Sequence, residues 1–234
     1  MAKPRFANPV FVALDTPDLA KALALAAAVK PHVGGLKIGL EFITANGPEG
    51  IRKIVALGLP VFSDVKFHDI PNTVAGASRE MAKLGASLFN IHASGGEAMM
   101  RAAREAAPNS TLIAVTVLTS MSDDDLDAVG QQKPALSQVE GLAKLAKHCG
   151  LDGVVSSPQE IATIRKACGP DFLIVTPGVR PKGADLNDQS RVTTPADATR
   201  AGANILVIGR PITAAADPVA AARAIFEEVA GVAA

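Results

Sequence analysis

The chain has 234 residues, 48% of them hydrophobic, and its 23 Lys and Arg residues balance 23 Asp and Glu residues. This length suits two small domains or one large domain with a single core, and the apolar content excludes a largely disordered chain. The balanced charge and the lack of Tyr and Trp argue against a nucleic-acid-binding surface. No apolar run reaches the roughly 18 residues of a membrane span, so we expect a soluble, cytoplasmic protein.

A strand followed by a helix recurs eight times along the chain. Near-continuous apolar runs predict parallel strands buried on both faces, at 10–14, 35–40, 61–67, 87–92, 112–118, 153–156, 172–176 and 205–208. Helical patterns lie between them, at 19–29, 50–56, 74–84, 97–106, 136–148, 158–167, 195–201 and 218–229. Eight such units without a break in composition predict an α/β protein with one domain over 1–234, a (β/α)8 or TIM barrel.

Barrels of this kind place their chemistry at the carboxyl ends of the strands. Charged side chains inside apolar strands are costly unless they are paired or used. We therefore predict that four of them converge on one mouth of the barrel as a network of alternating charge: Asp15, Lys37, Asp64 and Lys66.

The densest cluster of charge surrounds the third predicted strand. Regular alternation of side chains would place Asp64 and Lys66 on the same face. Asp69 lies beyond the strand end, and Pro71 marks the start of a helix. Taken alone, the pattern also fits a salt-bridged loop in which Asp69 caps that helix.

The loops after strands seven and eight, at 176–180 and 208–212, predict a phosphate site, because barrels often bind phosphate there. Gly209 permits close backbone approach, and the planar guanidinium of Arg210 suits bidentate contact with phosphate oxygens. Arg180 fits either a surface anchor or a phosphate contact. The polar segment 181–192 is predicted to be a lid, with disorder as the alternative.

No metal site is predicted. His68 and His92 lack a second His or a carboxylate at the spacing of helical metal ligands, which indicates hydrogen-bonding residues near the mouth. Cys149 and Cys168 have no metal-type spacing either, and we expect two buried, reduced thiols.

The pattern Asp64-x-Lys66-x-x-Asp69, continued by Ile-Pro-Asn-Thr73, resembles the signature of the orotidine 5′-monophosphate decarboxylase family. Segments 12–15, 36–40, 115–120, 175–180 and 208–213 resemble its bacterial branch in the same order. Asp-x-Lys-x-x-Asp alone is shared with sugar-phosphate decarboxylases and aldolases of the same superfamily. The Ile-Pro-Asn-Thr extension makes the resemblance specific.

The resemblance implies an enzyme of pyrimidine biosynthesis that converts orotidine 5′-monophosphate (OMP) to UMP and carbon dioxide without a metal or other cofactor. Lys66 would protonate C6 of the pyrimidine, and Asp64 would lie against the substrate carboxylate. Lys37 would complete the catalytic charges and, with Asp15, hold the ribose hydroxyls. Asp69, as a fourth catalytic charge, would come from the other subunit of a homodimer.

The remaining implied residues bind the substrate at its two ends. Thr73 would also reach across the dimer interface. Thr119 would contact the pyrimidine edge, and Gln189 would bridge base and phosphate from the lid. Gly209 and Arg210 would bind the phosphate, assisted by Arg180.

Two rival functions remain at this point. One is a magnesium-dependent keto-gulonate-phosphate decarboxylase or hexulose-phosphate synthase of the same superfamily. That branch carries a metal-binding Glu on strand two, where this chain has Lys37, a cation that would repel magnesium. The other is a non-catalytic phosphate-binding barrel, against which the complete set of Asp64, Lys66 and Asp69 argues.

Overall fold

A computed structural model describes residues 6–181 and 193–233, and these form a closed barrel of eight parallel strands. The strands follow one another around the barrel in chain order, and β1 closes it by pairing with β8. Their bounds are β1 Val10–Ala13, β2 Gly35–Ile38, β3 Val61–Phe67, β4 Leu88–His92, β5 Thr111–Val115, β6 Gly153–Val155, β7 Leu173–Pro177 and β8 Ile205–Ile208. The predicted (β/α)8 barrel is confirmed.

Helices connect the strands. They are α1 Leu19–Val29, α2 Leu40–Val55, α3 Pro71–Ala82, α4 Gly96–Ala106, α5 Asp123–Ala128, α6 Ala135–His148, α7 Ile161–Cys168, α8 Pro195–Ala201, α9 Arg210–Thr213 and α10 Pro218–Ala233. Both cysteines are free and buried. In the part of the chain that the structure describes, no helix has the length and apolarity needed to cross a bilayer.

The second βα unit differs most from the prediction. The strand ends at Ile38 rather than at residue 40, and α2 begins at Leu40, ten residues before the predicted start. Helix α2 is interrupted at Gly47, with φ 60° and ψ −163°, and resumes at Pro48. Because a Gly-Pro pair usually breaks a helix, the sequence predicted only the part of α2 that follows it. The first half is helical nevertheless because Phe42 packs into the core.

The core has two layers. The larger lies between the strands and the helices, and the smaller fills the barrel with alternate strand residues such as Phe11, Phe62 and Ile113. Phe11 needs Gly35 beside it, since a Cβ there would lie 2.4 Å from the ring. Apolar side chains therefore occupy the barrel interior, while the charged residues collect at the carboxyl ends of the strands.

Candidate active site

Strands β1 and β2 contribute the first charge pair of the mouth. Lys37 Nζ donates a hydrogen bond to Asp15 Oδ1 at 2.5 Å. The Lys37 side chain is 9% exposed, whereas that of Asp15 is 54% exposed. The lysine is thus buried in the barrel, whereas the carboxylate is accessible to solvent. Hydroxyl groups of a ligand could therefore contact the carboxylate.

Strand β3 contributes the second pair. Lys66 Nζ donates to Asp64 Oδ1 at 2.6 Å, and both side chains are partly buried. The prediction that the two residues lie together is confirmed, but the regular alternation used to predict it is wrong. Pairing with β4 shifts between Ser63 and Phe67, and Lys66 has a positive φ of 52°.

Asn90 on β4 completes this corner and was missed in the sequence. Its Nδ2 donates to Asp64 Oδ1 at 2.7 Å, and its Oδ1 accepts the backbone N–H of Lys66 at 2.8 Å. The side chain is fully buried. A polar residue inside the apolar run Leu-Phe-Asn-Ile-His was the available signal, because a buried amide is costly unless it is hydrogen-bonded.

His68 and His92 stack at the same mouth, with ring centroids 5.4 Å apart. Burial lowers the pKa of His92 below its ordinary value, and the charges of His68 and Lys66 lower it further, while Asp64 opposes the shift. The neutral ring is therefore favoured. Over residues 6–181 and 193–233, no three His, Cys, Asp or Glu side chains form a potential metal site.

Two arginines follow β7 and β8. Arg180 is 8% exposed, and its Nη1 donates to the Val179 carbonyl at 3.0 Å. Its buried Nε has no hydrogen-bond partner among the described atoms. Burial lowers the pKa of Arg180, and the nearby positive charge of Arg210 lowers it further. Two guanidinium groups this close create a positive field suited to an anion.

Gly209 lies between β8 and α9, next to these arginines. A Cβ at this position would make only an ordinary contact, 3.6 Å from the Cβ of Ala13. The carbonyl of Gly209 accepts hydrogen bonds from the N–H groups of Ile212 and Thr213, which starts α9. The backbone at Gly209 therefore leads directly into Arg210 at the start of α9.

Among the described residues, no hydrogen bond or ion pair joins Asp69, Thr73 or Thr119 to the two charge pairs. Asp69 and Thr73 are exposed, and Asp69 Oδ1 accepts the N–H of Ile70 at 2.6 Å. Across the described ranges, Asp69 makes no ion pair. Thr119 lies half-buried in the turn after β5. Gln189 lies outside the described residues, as does the predicted lid beyond residue 181.

Comparison with known proteins gives a consistent family. Residues 8–225 match the model of the orotidine 5′-phosphate decarboxylase / HUMPS family. The chain is 55% identical over 232 residues to an orotidine 5′-phosphate decarboxylase of Moorella thermoacetica, covering 95% of this chain and 92% of that protein. It is 53% identical to the Rhodospirillum rubrum protein of the same name, over 96% and 95% of the two chains.

Solved structures agree with the sequence relatives. The crystal structure of orotidine 5′-phosphate decarboxylase from Lactobacillus acidophilus superposes with a TM-score of 0.85 at 39% identity, over 95% of this chain and 99% of that one. The enzyme of that name from Pyrococcus horikoshii gives 0.80 at 26% identity, over 95% and 100% of the two chains. This chain therefore belongs to the orotidine 5′-phosphate decarboxylase / HUMPS family.

Proposed function

We propose that this protein is an orotidine 5′-monophosphate decarboxylase, which converts OMP to UMP and carbon dioxide without a metal. The observation that carries the proposal is the pair formed by Lys66 Nζ and Asp64 Oδ1, 2.6 Å apart at the barrel mouth. Relatives that share over 50% of their residues with this chain are named orotidine 5′-phosphate decarboxylase. A cytoplasmic location and the lack of nucleic-acid or membrane partners stay predictions from the sequence.

The chemistry needs a cation where negative charge develops. When the bond between C6 and the carboxylate breaks, carbon dioxide leaves and the electron pair remains on C6. The ammonium of Lys66 stabilises that charge as it forms and then donates its proton to C6, and solvent reprotonates the amine. Asp64, whose Oδ1 lies 2.6 Å from Lys66 Nζ, stabilises the ammonium by direct attraction between opposite charges.

Contacts remote from C6 must contribute to the rate. A reaction this slow without catalysis requires on the order of 20 kcal/mol of transition-state stabilisation. A single electrostatic contact supplies about 3 to 4 kcal/mol. In our proposal Arg180, Arg210 and the Gly209 backbone bind the phosphate, and Asp15 with Lys37 holds the ribose hydroxyls. Binding energy from these groups positions the base against Lys66.

Two further groups complete the proposed substrate site. Thr119, in the turn after β5, would contact the pyrimidine edge, and Gln189 would join base and phosphate. Both assignments rest on the match to the family pattern.

We also infer that the active protein is a homodimer in which Asp69 and Thr73 enter the partner's site. Both side chains are exposed, and the neighbouring Ile70 is an apolar residue that is 66% exposed. Helix α3 begins directly after it, at Pro71. An exposed Ile70 between Asp69 and Thr73 suits a contact between subunits. In such a contact the two polar side chains would enter the site of the other subunit.

The test of activity uses the purified protein with OMP and EDTA, following the loss of orotate absorbance. We expect turnover in EDTA and none for Lys66→Ala. Activity that appears only after magnesium is added would favour the keto-gulonate-phosphate or hexulose-phosphate branch. Binding of UMP without turnover would favour the non-catalytic barrel.

The shared site is tested by mixing two inactive variants, Lys66→Ala and Asp69→Ala. Each hybrid dimer would contain one site with both residues intact. Random exchange makes half of the dimers hybrids, so we expect about a quarter of the wild-type activity. If mass spectrometry detects hybrids and activity stays at zero, the assignment of Asp69 to the partner's site is wrong.

A further inference from the structure

The ladder between β3 and β4 is interrupted beside the Lys66–Asp64 pair. Ser63 pairs with Phe89, and the next pairing joins Phe67 to Ile91. Three residues of β3, at 64–66, therefore face the single residue Asn90. A bulge of this kind removes backbone hydrogen-bond partners and re-aims the side chains that it carries.

The bulge places Lys66 in an unfavourable backbone conformation. Its φ of 52° is the only positive value among the non-glycine residues of the described ranges. The left-handed region costs free energy for a residue with a Cβ and persists only where the surroundings hold it. Here the Lys66 N–H, which has left the ladder, donates to Asn90 Oδ1 at 2.8 Å.

The other end of the same amide holds the partner carboxylate. Asn90 Nδ2 donates at 2.7 Å to Asp64 Oδ1, the same oxygen that accepts from Lys66 Nζ at 2.6 Å. A backbone N–H can only donate, and an ionised carboxylate can only accept. The site therefore requires one acceptor and one donor on a short side chain, which Asn supplies and Leu or an ionised Asp does not.

We propose that Asn90 is a positioning residue for decarboxylation, an inference that rests on the proposed function. Its amide fixes the strained backbone that aims Lys66 Nζ and holds the Asp64 carboxyl group beside it. Asn90 is fully buried and acts through these two residues without touching the substrate. Loss of the amide should therefore impair the chemical step more than nucleotide binding.

Asn204 offers a matched control at the opposite end of the barrel. Its Oδ1 accepts the N–H of Ile174 at 2.9 Å and a proton of Arg165 Nη2 at 2.8 Å. It thus joins a strand backbone to a charged side chain, as Asn90 does, but at the amino end of β8. Asn204→Ala should reduce thermal stability and leave kcat unchanged.

The experiment compares Asn90→Ala and Asn204→Ala by kcat for OMP, by Kd for UMP and by thermal unfolding. We expect kcat to fall about 100-fold in Asn90→Ala, with Kd for UMP changed less than about threefold, because misplacing a catalytic group by an ångström has an effect of that size. Equal kcat values in the two folded variants would overturn the inference. Wild-type protein without OMP turnover would overturn the proposed function as well.

A second variant tests the donor directly and serves if Asn90→Ala fails to fold. Asn90→Asp places two carboxyl groups against each other, so they share a proton with a raised pKa. When protonated, the new carboxyl restores a donor to Asp64. We expect kcat of Asn90→Asp relative to wild type to rise as the pH is lowered towards about 5.5. A ratio that does not change with pH would overturn the inference.

Discussion

Lys37 and Asp15 form an ion pair whose end atoms crowd the space beside the Cα of Gly39. A Cβ on Gly39 would lie 3.1 Å from Lys37 Nζ and 3.1 Å from Asp15 Oδ1. The backbone of Gly39, with φ −105°, is open to any residue. Space for the ion pair, and not backbone conformation, therefore favours glycine at this position.

Gly39→Ala should reduce catalytic activity while leaving the stability of the fold almost unchanged. The methyl group displaces Lys37 or Asp15 by a few tenths of an ångström, so the proposed ribose contacts are weakened. We expect kcat/KM for OMP to fall about tenfold while the unfolding midpoint changes little. Steady-state kinetics and urea unfolding measure the two effects, and an unchanged kcat/KM would contradict this role of the glycine.

Gly141→Ala is the matched control and a prediction in its own right. Gly141 is exposed within α6, and a Cβ there would meet no atom within 4 Å. Alanine should raise the free energy of unfolding by about 0.5 to 1 kcal/mol, because it has the higher helix propensity. Urea unfolding should show this gain, and kcat/KM should stay at the wild-type value. A loss of stability would mean that the helix needs the glycine for another reason.

Gly47→Ala should show how much a positive φ alone costs in stability when the residue has a Cβ. A Cβ at Gly47 would also meet no atom within 4 Å, but its φ is 60° and its ψ is −163°. That conformation is nearly restricted to glycine, so we expect a loss of about 1 to 3 kcal/mol. The measurement is the free energy of unfolding in urea for Gly47→Ala and for Gly141→Ala. Both positions have space for a Cβ, and they differ in backbone conformation. Equal stability of the two variants would contradict the prediction.

The strands and most helices follow from the sequence because apolar periodicity and burial arise from the same residues. The first half of α2 was missed because Gly47 and Pro48 interrupt the pattern, and the packing of Phe42 that stabilises it is a tertiary effect. The bulge at Lys66 was missed for a similar reason. It depends on the side chain of Asn90 from the next strand, which local alternation does not include.

The candidate site also contains residues that the sequence predicts and residues whose positions depend on tertiary packing. The residues Asp15, Lys37, Asp64 and Lys66 were predictable, since charge inside apolar strands is costly and barrels collect function at one end. The burial of Arg180 was not, because it depends on how the loop after β7 packs. The proposed placement of Asp69 in a partner's site would involve a second subunit, which no pattern within one chain determines.

Asp152 at the amino end of the barrel should matter for stability and not for catalysis. Its Oδ2 accepts from Arg104 Nη1 at 2.9 Å and from the N–H of Leu112 at 2.8 Å. Asp152→Ala leaves a partly buried guanidinium and a strand N–H without this acceptor, so we expect a loss of about 2 to 3 kcal/mol by urea unfolding. Glu140→Ala, which breaks an exposed pair with Lys144, should change stability little. Similar effects of the two variants would contradict this ranking.

His92 should make the fold sensitive to mild acid. Burial, His68 and Lys66 lower its pKa in the folded state below the ordinary 6.5, so the unfolded chain binds a proton more readily. The stability from the neutral ring is complete above that value and is lost as the pH falls through the lowered folded pKa. Between about pH 7.5 and 5.5, wild type should lose more stability than His92→Gln.

The measurement is urea unfolding of both proteins at each pH, because the difference between them cancels the groups that they share. His32→Gln, in the turn before β2, is the control and should retain the wild-type loss. His68→Gln should reduce the loss in part, since it removes one of the two charges that lower the pKa of His92 and leaves burial in place. If His92→Gln loses as much stability as wild type, the buried ring does not account for the acid sensitivity.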